Sequence, residues 1–276
     1  MTDLTDSTDS TDLADESAPA LTYTSYLALD EVLGAQRPRS DEHDEMLFIV
    51  VHQVYELWFK QLLHELARLQ AVLADGDTAH AVRTLRRVLT ILKVIVAQID
   101  VLETMTPRQF TGFRARLDAA SGFQSAQFRE LEAVLGRRDE RALAPYAEGG
   151  AQRARIAEAM ARPSLYDSFL AYLAAHGYAV PAESLERDVS APVVPSPALH
   201  RVLLAVYADD AGPASVAEHL VDLDEGVQEW RYRHVKMVER TIGAKPGTGG
   251  SPGAEYLRGT LFAPAFPDLW AVRSEL

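Results

Sequence analysis

The sequence predicts an all-α protein, a helical bundle of roughly ten helices, and two observations support this. After residue 20, apolar residues recur mostly at three- and four-residue spacing, the period of an amphipathic helix. Long segments lack proline and glycine, and the alternating pattern of strands is nearly absent. With 276 residues, 47% of them hydrophobic, the chain can bury a substantial core. We therefore expect one helical domain over residues 21–276.

The first 20 residues have a different composition. The stretch TDLTDSTDSTDLADESA repeats Asp, Ser and Thr, without a basic residue and with almost nothing apolar. Such a segment cannot offset its ordering entropy by burial, so residues 1–20 are expected to form a disordered acidic tail. It also lacks the features of a signal peptide, and no later apolar stretch is long enough to span a membrane. These features predict a cytoplasmic protein with no membrane partner.

Charge and cysteine content exclude several functions. The formal net charge is −13, from 27 basic and 40 acidic residues, so nucleic-acid phosphates would be repelled and no nucleic-acid partner is expected. The absence of cysteine excludes disulfides, thiolate zinc sites, iron–sulfur clusters and thiolate haem ligation. Any metal must therefore be held by histidine, carboxylates or tyrosine.

The first long helix is predicted over residues 41–75. Ser40 or Asp41 is a suitable N-cap, and Gly76 is a suitable stop. Because the segment is long and very apolar at its start, it should lie centrally in the bundle. A second helix is predicted from about Thr78 to Thr104.

The middle of the chain is predicted to hold shorter helices. Thr106 and Pro107 form a cap and first-turn pair that opens the helix PRQFTGFRARL. Ser121 and Gly122 break it before an amphipathic helix that ends at Gly136. Further segments follow: helices at 150–161 and 164–176, and an irregular connection with four prolines at 180–197.

The last long helix, from about Pro213, carries a histidine on its apolar side. Its apolar stripe consists of Leu223, Val227, Trp230, His234, Met237 and Thr241, while Arg231, Arg233, Lys236 and Arg240 take the other faces. A histidine in this setting is most often a core residue with one hydrogen-bonded ring nitrogen. The alternative is an axial haem ligand, because a neutral imidazole can bind iron while its other nitrogen donates to an acceptor.

Two further side chains are unusual for their surroundings. His52 lies in FIVVHQVYELW, with Phe48 one turn before it and Glu56 one turn after. It is a core polar group or a partner of Glu56, or else it faces His234 across a cofactor pocket. Arg114 shares a face with large aromatics; it either extends to solvent or pairs with the carboxylate of a bound amino acid.

The segment GAKPGTGGSPG, residues 243–253, is not a phosphate-binding loop, because its lysine precedes the glycines and no strand leads into it. It is a plain flexible connection, or its glycines let the backbone close over a ligand to which Thr248 offers a hydroxyl. HExxH zinc and GxSxG hydrolase motifs do not occur.

Taken together, six segments resemble the tryptophan 2,3-dioxygenase family: LTYTSYLALDEVL, HDEMLFIVVHQVYELWFKQLLHEL, VLETMTPRQFTGFR, SGFQSAQFRELE, PSLYDSFLAYL and WRYRHVKMVERTIGAKPGTGG. They occur in the family's order, with its spacing, between Leu21 and about Leu261. The resemblance implies an all-helical homotetramer, a dimer of dimers, that holds ferrous haem b. Such an enzyme opens the indole ring of L-tryptophan with the co-substrate O2 to give N-formylkynurenine, the first step of the kynurenine pathway.

The resemblance also implies roles for residues of this chain. His234 matches the proximal iron ligand, with Trp230 one turn before it in the cofactor pocket, and His52 matches the distal histidine near the indole N–H. Phe48 and Phe110 match aromatic residues of the substrate pocket.

The polar end of the substrate has its own matches. Arg114 matches the arginine that pairs with the substrate carboxylate, and Thr248 matches the threonine of the closing loop. Ser121 and Gly122 match a turn on the distal side of the haem. Tyr23 and Tyr26 match residues that reach a neighbouring subunit's site.

Three positions depart from the family pattern. Phe110 replaces a tyrosine of some bacterial members, Pro252 replaces a serine common in the glycine-rich loop, and Val51 stands where polar residues are frequent. Three alternatives stay open at this point: a related haem enzyme that mono-oxygenates a tryptophan-derived indole in natural-product biosynthesis, a haem-binding sensor without chemistry, and a cofactor-free bundle.

Overall fold

The computed structural model describes residues 20–118, 120–248 and 253–276. Within these ranges the chain forms α-helices and three short 3-10 helices, and no strand. The all-α prediction is therefore confirmed. The predicted acidic tail lies outside the described residues, apart from its last position. The chain divides into two compact units, Met1–Arg37 and Pro38–Leu276.

The α-helices, in chain order, are α1 (Tyr23–Tyr26), α2 (Leu29–Leu33), α3 (His43–Ala74), α4 (Thr78–Glu103), α5 (Pro107–Arg114), α6 (Ala126–Val134), α7 (Ala151–Met160), α8 (Leu165–Ala175), α9 (Ala182–Leu185), α10 (Pro197–Asp209), α11 (Gly212–Ile242), α12 (Ala254–Arg258) and α13 (Pro267–Ala271).

The described part of the first unit is short and exposed. Helix α1 begins at a capping box in which Thr22 and Ser25 exchange side-chain and backbone hydrogen bonds. Neither α1 nor α2 contains a buried residue. The tyrosines of α1, Tyr23 and Tyr26, are 75% and 72% exposed.

Three long helices, α3, α4 and α11, form the centre of the second unit. Helix α4 packs most extensively against α11 and next most against α3. Several leucines of α3 are essentially inaccessible, among them Leu66, Leu69 and Leu73, and so is Leu220 of α11. The site histidines belong to this group of helices, since His52 is on α3 and His234 on α11.

The predicted start of α3 is wrong in its detail. Its N-cap is Glu42, whose side chain makes no capping bond, and not Ser40 or Asp41. The buried carboxylate of Glu45 accepts hydrogen bonds from the backbone N–H groups of Arg39 and Ser40 and from the Ser40 hydroxyl. The Ser40 hydroxyl is therefore used to fold the preceding loop onto the helix. The predicted end is confirmed, because Gly76 follows α3 at a φ of +72°.

The predicted boundaries of the next helices agree closely with the structure. Asp77 caps α4, and Thr106 with Gln109 forms a capping box at the start of α5. Helix α5 ends at Arg114, three residues before the end of the predicted segment. Helix α6 is capped by Ser125 and stops before Gly136, as expected.

The connection with four prolines is less irregular than predicted. Pro181 is the N-cap of α9, and Pro197 lies in the first turn of α10. Proline is favoured there because the first-turn N–H groups have no intrahelical acceptor. Two of the four prolines therefore begin helices. Across the described ranges, no helix combines the length and the apolar composition that crossing a membrane requires.

Candidate haem and amino-acid site

Two adjoining cavities lie between α3, α5, α6 and α11. The first is lined by eight of the residues selected from the sequence: Phe48, His52, Phe110, Arg114, Ser121, Gly122, His234 and Thr248. The second shares His52, Gly122 and His234 with it and adds Trp230. The structure thus brings together residues that are up to about 200 positions apart in the chain.

His52 presents one ring nitrogen for a ligand. Its Nδ1–H donates to the backbone carbonyl of Phe48 at 2.7 Å, which assigns the proton to Nδ1 and leaves Nε2 as an acceptor. Burial lowers the pKa of His52, and the carbonyl bond and Glu56 only partly oppose this. The Nε2 atom faces the Ser121–Gly122 turn, where a Cβ on Gly122 would lie 3.5 Å from it. A neutral His52 can therefore accept a hydrogen bond from an N–H donor in the cavity.

His234 is a neutral imidazole on the apolar side of α11. Burial, together with smaller contributions from His52 and Arg129, lowers its pKa to about 4. Its ring stacks on Trp230, one turn earlier, with centroids 5.1 Å apart and planes 10° from parallel. At neutral pH the ring keeps a nitrogen lone pair that can bind a metal.

Aromatic rings form one wall of the first cavity. Phe48 packs against His52 with centroids 4.1 Å apart, and against Phe110 and Phe113 at 5.8 and 5.6 Å. The last two meet edge to face at 5.4 Å. Such a wall suits a flat apolar ring, because aromatic pairs gain from offset and edge contacts in addition to burial.

The glycine-rich segment is tied to this cavity by two hydrogen bonds. Arg114 donates from Nη2 to the carbonyl of Pro246 at 2.6 Å, and Thr248 donates from Oγ1 to the carbonyl of Ala120 at 2.6 Å. Residues 249–252, including Pro252, lie outside the described residues. At Gly253, φ is +65° and a Cβ would lie 2.8 Å from the Lys245 carbonyl, so only glycine fits there. Both described ends of the segment therefore meet beside Arg114.

Sequence reasoning missed a buried cluster at the polar end of the second cavity. The side chains of Arg129, Glu132 and Arg231 are only 7%, 5% and 10% exposed. Both arginines pair with Glu132. The prediction placed Arg231, with other basic residues of α11, on the faces away from the apolar stripe, and it did not anticipate that the guanidinium is nearly buried. The only sequence signal was the position of Arg231 one turn before His234.

The lining of the second cavity fits a haem. In the described part of the chain, no three His, Asp or Glu side chains converge to hold a metal ion. A porphyrin supplies the other iron ligands, so a single neutral imidazole is sufficient protein ligation. The walls carry large apolar side chains such as Phe59, Phe128 and Trp230, and the charged residues of the lining include the cluster in which Arg129 and Arg231 contact Glu132. This distribution suits a flat apolar group with one acidic edge.

Comparison with known proteins agrees with the resemblance read from the sequence. The family model described as tryptophan 2,3-dioxygenase matches residues 6–173 and 196–276. A protein of Anaeromyxobacter sp. (strain K) named tryptophan 2,3-dioxygenase is 71% identical over 257 residues, which cover 93% of this chain and 97% of the relative. Proteins of the same name from Herpetosiphon aurantiacus and Caulobacter vibrioides are 57% and 47% identical, over 93% and 94% of this chain and 99% and 100% of those relatives.

Both the extent of the family match and the identity to these relatives lead to one conclusion: the chain belongs to the tryptophan 2,3-dioxygenase family.

Proposed function

We propose that the protein is a haem-dependent dioxygenase that cleaves the indole C2–C3 bond of L-tryptophan with O2 to give N-formylkynurenine. The observation that carries the proposal is that neutral His52 and His234 line the same pair of cavities, beside an aromatic wall and Arg114. The names of the relatives support the same reaction.

His234 would hold the iron of haem b through its free ring nitrogen, with Trp230 stacked on the imidazole. Ferrous haem, when bound, supplies the activation of O2, which no amino-acid side chain provides. The apolar lining around His234 keeps water from the reacting groups. Ser121 and Gly122 are proposed to line the distal side, where the lack of a side chain on Gly122 leaves space next to His52.

Recognition of the substrate is divided between an apolar and a polar end. The indole ring would pack on Phe48 and Phe110, with its N–H donating to Nε2 of His52. The carboxylate would pair with Arg114, whose guanidinium can form two parallel hydrogen bonds. Thr248 would bind the polar end of the amino acid through its hydroxyl. This new hydrogen bond would replace the one that the hydroxyl donates to the carbonyl of Ala120.

The bond from Arg114 to Pro246 has a consequence for binding. The substrate carboxylate must either share the guanidinium with this carbonyl or displace it. Sharing is possible because a guanidinium carries five N–H donors. Substrate binding and the position of the glycine-rich segment are therefore coupled through a single side chain.

The wider setting of the enzyme is also a proposal. A homotetramer in the cytoplasm is expected, in which Tyr23 and Tyr26 complete the site of another subunit. Their side chains are largely exposed within the single chain, which leaves them available for such a contact.

Product analysis tests the proposed function. Protein reconstituted with haem and reduced is mixed with L-tryptophan in air, and the product is identified by absorbance and mass. The expected product contains two added oxygen atoms. A product with one added oxygen atom would assign the chain to mono-oxygenation instead, and haem-loaded protein that leaves tryptophan unchanged would contradict both reactions.

A further inference from the structure

We propose that Gln127 is a positioning residue, which holds the Ser121–Gly122 turn at its distance from His52 by bonding Glu56. The inference rests on the proposed function and deepens it, because this turn and His52 border the proposed place of the indole N–H. Gln127 itself lines neither of the two cavities. It would therefore act only through the backbone that it anchors.

Gln127, in the first turn of α6, makes two hydrogen bonds to one residue of α3. Its Nε2 donates to the backbone carbonyl of Glu56 at 2.9 Å and to Oε2 of the Glu56 side chain at 2.8 Å. A carbonyl oxygen accepts and does not donate, which assigns the amide nitrogen to this place. Glu56 follows His52 by one turn of α3. The anchor thus bears on the backbone of the helix that carries His52.

Local hydrogen bonds connect Gln127 to the turn. The N–H of Ser125 donates to the Gly122 carbonyl at 3.2 Å. The Ser125 hydroxyl accepts from the N–H of Phe128 at 3.1 Å and caps α6. Residues 122–128 therefore form one continuous hydrogen-bonded segment, in which a shift of the first turn of α6 also moves Gly122.

The turn approaches His52 at the point where it has no side chain. A Cβ on Gly122 would lie 3.5 Å from Nε2 and 3.6 Å from Cδ2 of the His52 ring. Because these are ordinary van der Waals distances, the gap between Gly122 and the ring is about as wide as one methyl group. A shift of about 1 Å is a large part of this gap, and misplacement of that size can slow a reaction about a hundredfold.

The other end of the turn is held by a contact that the substrate would exchange. Thr248 donates to the carbonyl of Ala120 at 2.6 Å, and tryptophan would replace this bond in the proposed function. The bonds from Gln127 to Glu56 lie at the end that the substrate does not touch. Gln127 would therefore keep the turn in register with His52 while the Thr248 contact is exchanged.

Apolar packing of α6 on α3 is the competing explanation for the position of the turn. The ring of Phe128 lies 5.4 Å from that of Phe59, between centroids. Apolar contacts are non-directional and tolerate small shifts, whereas the two bonds from one amide have a defined length and direction. If packing alone positions the turn, loss of the Gln127 amide changes stability but not the rate of the reaction.

The test compares haem-loaded wild-type protein with haem-loaded Gln127→Leu, which keeps a side chain of similar size and removes both hydrogen bonds. We expect kcat for L-tryptophan to fall about tenfold or more, because the reacting groups are less well aligned. The KM should change less than about threefold, since Phe48, Phe110 and Arg114 are unchanged. Haem content should stay at the wild-type value.

Gln70→Leu is the matched control. Gln70 is also a half-buried glutamine whose Nε2 donates to two acceptors, the Pro163 carbonyl and the Ser168 hydroxyl, both at 3.0 Å. These bonds join α3 to the region where α8 begins, and Gln70 lines neither cavity. Gln70→Leu should keep the wild-type kcat. An equal fall of kcat in both variants would indicate a general loss of stability and overturn the inference.

Hydrogen–deuterium exchange of the same preparations measures the anchor without any turnover. The backbone amides of residues 122–128 should exchange about fivefold faster or more in Gln127→Leu, because local opening no longer breaks the two bonds to Glu56. The amides of α8 should exchange as in the wild-type protein. Unchanged exchange over residues 122–128 would overturn the inference.

The outcomes separate the inference from the proposed function. Wild-type kcat in haem-loaded Gln127→Leu overturns the inference alone. Loss of haem from this variant also overturns it, because the inference gives Gln127 no part in holding the haem. Haem-loaded wild-type protein that leaves tryptophan unchanged contradicts the proposed function, and faster exchange in Gln127→Leu would then still support the anchor.

Discussion

The indole of Trp230 stacks on the imidazole of His234, with centroids 5.1 Å apart and planes within 10° of parallel. The same indole packs against Phe128, at 4.6 Å. One face of His234 is therefore covered by a ring that is itself held by aromatic neighbours. This packing fixes the orientation of the imidazole and helps to exclude water, which keeps the ring neutral.

Replacing His234 tests its proposed role as the iron ligand. His234→Ala should lose haem, or bind it with an altered absorbance spectrum, because its side chain supplies the axial nitrogen. The exposed His64 on α3 provides a matched control, and His64→Ala should keep the wild-type spectrum. An unchanged spectrum in His234→Ala would remove this residue from the site.

Replacing Arg114 tests the recognition of the substrate carboxylate. Arg114→Ala should weaken the apparent affinity for tryptophan roughly fivefold to a hundredfold, since a lost charged hydrogen bond costs about 1 to 3 kcal/mol. Haem content should not change. Arg116→Ala, two residues further on and exposed, is the control. Wild-type affinity in a haem-loaded Arg114→Ala protein would contradict the assignment.

A methylated substrate tests the acceptor role of His52. N1-methyl-tryptophan lacks the donor that Nε2 would accept, so the wild-type enzyme should bind it about fivefold more weakly or worse than tryptophan. His52→Ala removes the acceptor and enlarges the cavity, so this variant should discriminate less. Binding constants for both substrates and both proteins give the comparison. The same discrimination in both proteins would be inconsistent with this role.

The stability of the haem-free protein should depend on pH through the two histidines. The folded-state pKa of His234 is about 4, below the value of about 6.5 expected in the unfolded chain. Between these values the unfolded chain binds more protons, so the free energy of unfolding falls as pH is lowered from about 6.5 towards 4. The lowered pKa of His52 acts in the same direction.

Urea unfolding of the haem-free protein at pH 7 and at pH 5 measures this effect. His234→Gln cannot take up a proton, so its loss of stability between the two pH values should be smaller than that of the wild-type protein. An equal loss in both proteins would show that His234 titrates normally.

The helix ends that were predicted correctly are determined by residues close together in the sequence. The Thr106 and Gln109 capping box, the Asp77 cap and the stop at Gly76 all depend on residues within one turn of each other. The start of α3 was predicted incorrectly because the Ser40 side chain is held by the carboxylate of Glu45, to which its hydroxyl donates, and the capping pattern in the sequence does not show this pairing.

Long-range pairs account for what the sequence did not predict. Arg231 is paired with Glu132, 99 residues earlier, and helical periodicity on α11 contains no information about that carboxylate. The hydrogen bond between Arg114 and the Pro246 carbonyl joins segments 132 residues apart in the same way. Helices were therefore predictable from composition and caps, whereas the polar contacts of the site required the packed structure.

A crystal structure of the protein with haem and L-tryptophan bound tests the proposed roles of His234 and His52 most directly. We expect a ring nitrogen of His234 to ligate the iron, and Nε2 of His52 to lie within hydrogen-bond distance of the indole nitrogen on the opposite side of the haem. Iron held by a different residue, or tryptophan bound away from His52, would contradict these roles.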